Sequence, residues 1–143
     1  NIPSSLIFEA SDFTNAIVEN IKFNYNHLNC DCVDITEPDQ LRKIAKRCSL
    51  IVAYGGLQYL LPNEIQIFLQ ICREEKAEII TSQPFDAKLN PYVLTKSIPR
   101  GNFSWSHPYM KIAQESGYKV KKANTSFSSD QPWSQAFSAY FSL

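Results

Sequence analysis

The sequence has 143 residues, the size of one compact domain, and 44% of them are hydrophobic, which is enough to form a buried core. Fourteen basic side chains balance fourteen acidic ones. This balance gives no support to a charge-driven role on nucleic acid or at a membrane surface, so we expect a small-molecule partner. No apolar run approaches the roughly 20 residues that a membrane span needs.

The cysteines lie in the first half of the chain, at Cys30, Cys32, Cys48 and Cys72. This layout is poor for a disulfide framework, so the sequence predicts a reducing, cytoplasmic environment. Two of the cysteines lie close to His27, but no fourth ligand stands at a suitable spacing and alternate strand residues point to opposite faces. We therefore predict no metal site.

The first half of the chain predicts alternating strands and helices. An apolar run at residues 6–8 predicts a strand that ends at Glu9, and apolar residues at helical spacing follow it. Residues 30–35 are rich in strand formers. Thr36 and Asp39 form a capping-box pattern around Pro38, which predicts a second helix.

The same alternation continues in the middle of the chain. The segment Leu50–Tyr54 is continuously apolar, as is typical of a buried strand in a parallel sheet. Apolar residues at i, i+3, i+4 and i+7 after Pro62 predict a third helix, and residues 77–82 predict a fourth strand. The resulting βαβαβαβ order predicts a parallel sheet covered by helices.

The last third of the chain has a different texture. Residues 83–107 lack sustained periodicity, and so long an irregular stretch predicts a mobile, functional segment. A short helix is predicted to begin at Pro108 and to end at Gly117. Residues 118–123 and 136–143 predict an antiparallel pair of strands.

Several of these segments carry short motifs at their strand ends: Leu6-Ile7-Phe8-Glu9, Val33-Asp34-Ile35, and Leu50-Ile51-Val52-Ala53-Tyr54-Gly55-Gly56. Together they resemble the class I S-adenosylmethionine-dependent methyltransferases. The resemblance implies a three-layer Rossmann-like α/β fold with a mostly parallel sheet and a C-terminal antiparallel hairpin. It also implies a single domain over residues 1–143 that uses S-adenosylmethionine to methylate a small molecule.

The resemblance also assigns roles to individual residues. Glu9 would accept hydrogen bonds from the cofactor's ribose, and Asp34 would accept one from its adenine amino group. Ile35 would pack on the adenine ring. The methionine part of the cofactor would lie over the turn formed by Ala53, Tyr54, Gly55 and Gly56.

His107 is the predicted catalytic residue. It stands where the long irregular segment meets a helix, and an imidazole titrates near neutral pH, as suits a general base. The competing interpretation is that Ser-His-Pro merely begins the helix.

The resemblance lacks the family's most diagnostic element, a first strand that runs into a glycine-rich loop. The four glycines stand at Gly55, Gly56, Gly101 and Gly117. Either residues 6–9 are a degenerate first strand, or the first strand was lost upstream of Asn1. We favour the second interpretation, because the first would place the Gly55 turn one β/α unit too early. We therefore predict a domain truncated at its N-terminus that binds S-adenosylmethionine weakly or not at all.

A missing central strand has a further consequence. Two rows of backbone groups would lack partners, at roughly 1 to 3 kcal/mol for each unmade bond. The strand ending at Glu9 and the strand Leu50–Tyr54 are therefore expected to pair directly, or to receive a strand from a homo-oligomer partner or a missing N-terminal segment. The alternative function is a catalytically silent binding or scaffold domain.

Overall fold

The first β/α unit is a small sheet with one helix. The structure, a computed structural model, describes residues 7, 9–101, 103–127 and 134–143. Strand β1, Glu9–Asp12, is followed by helix α1, Asn15–Asn24, and by strand β2, Asn29–Cys32. β1 and β2 pair in parallel, with Glu9 opposite Asn29 and Asp12 opposite Cys32. The predicted strand at residues 6–8 lies mostly outside the described residues.

The second part contains helix α2, Pro38–Ala45, strand β3, Leu50–Tyr54, helix α3, Pro62–Glu74, and strand β4, Glu78–Asp86. β3 and β4 pair in parallel, as the alternating pattern predicts. Proline occupies the start of both helices, where its missing N–H costs no intrahelical hydrogen bond. A short 3-10 helix, Leu57–Tyr59, connects β3 to α3.

The C-terminal part contains more strand than the sequence predicts. Within the stretch expected to be irregular, β4 continues to Asp86 and two short antiparallel strands form, β5, Ile98–Arg100, and β6, Ser104–Ser106. Helix α4, Tyr109–Glu115, follows them. The chain then forms β7, Lys119–Phe127, and β8, Ser134–Ser142, which pair antiparallel and confirm the predicted C-terminal hairpin.

The larger sheet is mixed, which corrects the prediction of a mostly parallel one. Its strand order is β3-β4-β8-β7, and β8 lies antiparallel between β4 and β7. Only the β3/β4 pair of this sheet is parallel. The long C-terminal strands therefore pair with the β/α units on one side, and β3 is left as the opposite edge of the sheet.

The core lies on one face of this sheet. Residues from α2, α3 and α4 form one apolar cluster with Ile79, Phe85, Phe137 and Phe141 of β4 and β8. The other face exposes Val52 and Ile80, which are opposite each other in the β3/β4 register. The predicted third layer is therefore absent over these two strands in the part of the chain that the structure describes. No helix among those residues is both long and apolar enough to cross a membrane.

The two sheets are separate. β1 pairs only with β2, and β3 pairs only with β4, among the described residues. The prediction that the strand near Glu9 pairs directly with Leu50–Tyr54 is therefore wrong, and both strands present a free backbone edge.

Candidate functional site

The parallel strands gather several polar groups at their carboxyl ends. Arg47, three residues before β3, makes ion pairs with Glu9 at the start of β1 (3.2 Å) and with Asp31 of β2 (2.9 Å). The amino ends of the strands therefore lie on one side, and the segments after Asp12, Cys32 and Tyr54 lie on the other. This carboxyl edge is where open α/β sheets bind ligands.

Glu9 does not lie at this edge. It begins β1, and its carboxylate faces Arg47 at the amino ends of the strands, so the expectation that Glu9 ends its strand is wrong. The parallel ladder with β2 continues to Asp12, and the Asp12 carboxylate accepts a hydrogen bond from the Thr14 N–H at 2.8 Å. This contact fixes the turn into α1. Asp12 is therefore the acidic residue at the carboxyl end of β1.

Asp34 and Ile35 follow the end of β2, as expected. The exposed Asp34 carboxylate accepts hydrogen bonds from the side chain (2.7 Å) and backbone N–H (2.9 Å) of Thr36. These bonds hold the pKa of Asp34 below its ordinary value, since they favour the ionised form. Ile35 is half-buried against the main core.

The turn after β3 combines an unusual backbone conformation with open space. Gly55 has φ +70°, a region that favours glycine, and a Cβ added at Gly55 or Gly56 would meet no atom within 4 Å. The Gly55 N–H donates to the Ser82 carbonyl at 2.9 Å. The side chain of Tyr54 is 86% exposed beside the turn. The turn therefore leaves its outer surface free for a ligand.

A buried polar network supports this turn from below, and the sequence analysis did not identify it. Gln58 Nε2 donates to the Gly55 carbonyl at 2.8 Å, and Gln83 Nε2 donates to the Ala53 carbonyl at 3.0 Å. Thr81 Oγ1 also donates to the Ala53 carbonyl, at 3.2 Å. The inward positions of Thr81 and Gln83 in an otherwise apolar strand were the available signal. Because both turn carbonyls are occupied, they are poor acceptors for a ligand.

Arg100 joins the end of β5 to this network. Its guanidinium donates to Gln58 Oε1 and to Ser134 Oγ, the latter at 3.2 Å, while its Nε is buried without a partner among the described residues. The contacts pin the β5/β6 hairpin against the Gly55 turn. Arg100 thereby places a positive charge near the carboxyl edge.

His107 is fully buried beneath the hairpin. Its Nε2 lies 3.0 Å from the Leu60 carbonyl and so carries the proton, which leaves Nδ1 to accept from the Ser97 hydroxyl at 2.8 Å. Burial lowers the pKa of His107 to about 4. The imidazole is thus neutral near pH 7 with its lone pair in use, which does not favour the predicted role as a general base.

An open cleft of about 330 Å³ lies away from this edge, between the two sheets. Residues 9–11 of β1 line one side and residues 50–52 of β3 line the other. The cleft is therefore bounded by the free edges of the two strands and lies toward their amino ends.

Comparison with known proteins gives similarity in fold alone. No protein-family model and no curated protein matches the sequence. Magnesium protoporphyrin IX methyltransferase from Synechocystis PCC 6803, solved with bound S-adenosylmethionine, matches with a TM-score of 0.62 and 9% identity, over 96% of this chain and 60% of that one. N-methyltransferase NodS from Bradyrhizobium japonicum WM9, solved with S-adenosylhomocysteine, matches with a TM-score of 0.65 and 11% identity, over 95% and 66%.

The methyltransferase domain of bacterial CtHen1-CN matches with a TM-score of 0.66 and 16% identity, over 96% of this chain and 78% of that domain. The chain thus has a methyltransferase-like fold. It spans between 60% and 78% of the length of these three structures.

Proposed function

We propose that this chain is a methyltransferase-like domain that uses S-adenosylmethionine to methylate a small molecule. The observation that carries the proposal is the arrangement of Asp12, Asp34 and Gly55 at the carboxyl ends of parallel strands. The fold similarity to structures solved with this cofactor or its product supports the proposal. When bound, the cofactor supplies an electrophilic methyl group on its sulfonium.

The residues at the carboxyl edge fit the parts of this cofactor. Ionised carboxylates only accept hydrogen bonds, so Asp12 suits the ribose hydroxyls and Asp34 suits the adenine amino group. We propose Asp12 in the role that the sequence analysis gave to Glu9. Ile35 supplies an apolar surface, and the open side of the Gly55-Gly56 turn leaves space for the methionine part.

We assign no general base to the reaction. Transfer would proceed by proximity and alignment of the acceptor with the methyl group. The half-buried guanidinium of Arg100 and the exposed ring of Tyr54 are the groups beside the turn that would meet an acceptor. His107 stays a predicted base only, because its burial and its bond from Ser97 oppose that role.

The alternative is a catalytically silent binding or scaffold domain. The occupied carbonyls of Ala53 and Gly55 favour it, since they leave the turn few free acceptors.

A methyl-transfer assay separates the two functions. The polypeptide purified from its natural source is incubated with methyl-tritiated S-adenosylmethionine and the low-molecular-mass fraction of the same source. We expect label to enter a small molecule, and we expect Asp12→Asn to reduce transfer at least about tenfold while Glu9→Gln does not. Absence of both transfer and S-adenosylhomocysteine binding would reject the enzyme in favour of the scaffold.

A further inference from the structure

The cleft between β1 and β3 is bounded by backbone groups that lack strand partners. Ser49 and Gly55 point their backbone bonds toward β4, through the Ser49 carbonyl and the Gly55 N–H. Because these bonds alternate along a strand, the N–H and carbonyl groups of Leu50, Val52 and Tyr54 point the other way, into the cleft. The free edge of β3 therefore presents a complete row of donors and acceptors.

The facing edge of β1 is similar. The Asp12 carbonyl accepts from the Val33 N–H at 2.8 Å, so Asp12 and Ala10 direct their backbone bonds toward β2. By the same alternation, Glu9 and Ser11 point theirs into the cleft. Glu9 and Ser11 line the cleft together with Leu50 and Val52. Two strand edges thus confront each other without a partner between them.

The lining of the cleft defines the chemistry of what fits there. Ile44, Cys48 and Ile51 provide apolar surface, while the side chains of Leu50 and Val52 are 43% and 68% exposed. An inserted strand would meet apolar neighbours on both of its faces, as a central strand of a parallel sheet does. It would need apolar side chains at successive positions.

A second copy of this chain does not suit the cleft. A strand that already belongs to a sheet has at most one free edge, whereas the cleft offers two edges to be paired at once. Only a strand outside any other sheet satisfies both.

The exposed face beside the cleft indicates how that strand is connected. Leu50, Val52, Tyr54 and Ile80 form an apolar strip, each at least 41% exposed. β1 to β4 run in one direction, and parallel strands need a crossover of about a dozen or more residues, which usually packs a helix on the sheet. Residues 1–8 are too few to supply both a strand and such a crossover. The matched structures are longer than this chain.

We propose that the cleft receives one parallel, apolar strand from the same polypeptide, outside residues 1–143, and that its crossover to β1 covers the strip of Leu50, Val52, Tyr54 and Ile80. The strand supplies hydrogen bonds to both free edges and joins the two sheets into one. This inference does not depend on the proposed methyl transfer, because it concerns the backbone edges alone.

Amide hydrogen exchange resolved by residue tests the proposal. It is measured on the 143-residue chain and on the polypeptide purified from its natural source. In the 143-residue chain, the amides of Leu50, Val52 and Tyr54 should exchange at least about tenfold faster than those of Ile51 and Ala53, which serve as controls in the same strand. In the natural polypeptide, all five should be equally slow.

Three results would overturn the proposal: a natural polypeptide that begins at residue 1, a longer polypeptide whose Leu50, Val52 and Tyr54 amides stay fast, or protection that appears only as the 143-residue chain dimerises. If the 143-residue chain does not fold, the natural polypeptide decides alone by the same comparison within β3. As a second measurement, Val52→Pro should lower Tm more in the natural polypeptide than in the 143-residue chain, since only there does the Val52 N–H have a partner. An equal fall in both would contradict the proposal.

Discussion

Arg47 Nη2 lies 3.2 Å from Glu9 Oε2, at the start of β1, while the carboxylate of Asp12 lies at the other end of the same strand. Glu9 is therefore part of a surface ion pair and Asp12 is free to act at the carboxyl edge. Glu9→Gln should leave S-adenosylhomocysteine affinity unchanged within about twofold.

Asp12→Asn should weaken that affinity at least about tenfold, because an amide keeps the bond from the Thr14 N–H but loses the charge that strengthens acceptance from ribose hydroxyls. Titration calorimetry on the natural polypeptide compares the two variants. Equal affinities for the two would show that Asp12 does not bind the cofactor.

The burial of His107 predicts a specific dependence of stability on pH. Its pKa falls from 6.5 to about 4 on folding, so between these values the unfolded chain binds a proton that the folded chain does not. Stability should therefore rise with pH across this window, by roughly 3 kcal/mol in all.

Urea unfolding at a series of pH values measures this effect. In His107→Gln the rise between pH 4 and 6.5 should be smaller by about that amount. His27→Gln is the matched control, because His27 is exposed. A pH dependence in His107→Gln as steep as in the unmodified chain would contradict the assignment.

The two glycines of the turn should respond differently to alanine. Gly55 has φ +70°, so Gly55→Ala should destabilise the fold by about 1 to 2 kcal/mol through backbone strain. Gly56 has φ −85° and ψ −38°, so Gly56→Ala should change stability by less than about 0.5 kcal/mol. Neither Cβ meets an atom, so sterics do not confuse the comparison. Thermal unfolding measures both, and equal losses would argue against the strained turn.

Two buried tyrosines provide another matched pair. The Tyr118 hydroxyl donates to the Ala77 carbonyl at 2.7 Å, whereas the buried Tyr109 hydroxyl has no partner among the described residues. Tyr118→Phe should cost about 1 kcal/mol, and Tyr109→Phe should be neutral or stabilising, because it removes an unsatisfied polar group. Denaturant midpoints test this order, and a larger loss for Tyr109→Phe would mean that its hydroxyl has a partner.

Local patterns predicted the elements better than their assembly. The continuously apolar run gave β3 with its observed bounds, Leu50–Tyr54, and the turn signals located the β7/β8 hairpin. The insertion of β8 beside β4 depends on contacts between residues more than 50 positions apart, such as Ile79 with Phe141. No local period encodes such a pairing, so the mixed sheet was not predicted.

The site was predicted in part for the same reason. Asp34 and Gly55 follow their strands because strand ends are locally encoded. The strand near Glu9 was placed too early, because the apolar run at residues 6–8 indicated an end that the ladder with β2 extends to Asp12. The Gln58-Arg100 contact joins residues 42 apart in the chain. The burial of His107 likewise requires Leu60, which lies 47 residues away.

The most direct test of this account is to map S-adenosylhomocysteine on the 143-residue chain by amide chemical shifts, at ligand concentrations high enough to detect weak binding. We predict shifts at Asp12, Asp34, Gly55 and Gly56, with little change at Glu9 and Arg47, and an affinity weaker than micromolar. Shifts confined to the Glu9-Arg47 side of the cleft, or none at saturating ligand, would contradict a cofactor site at the carboxyl edge.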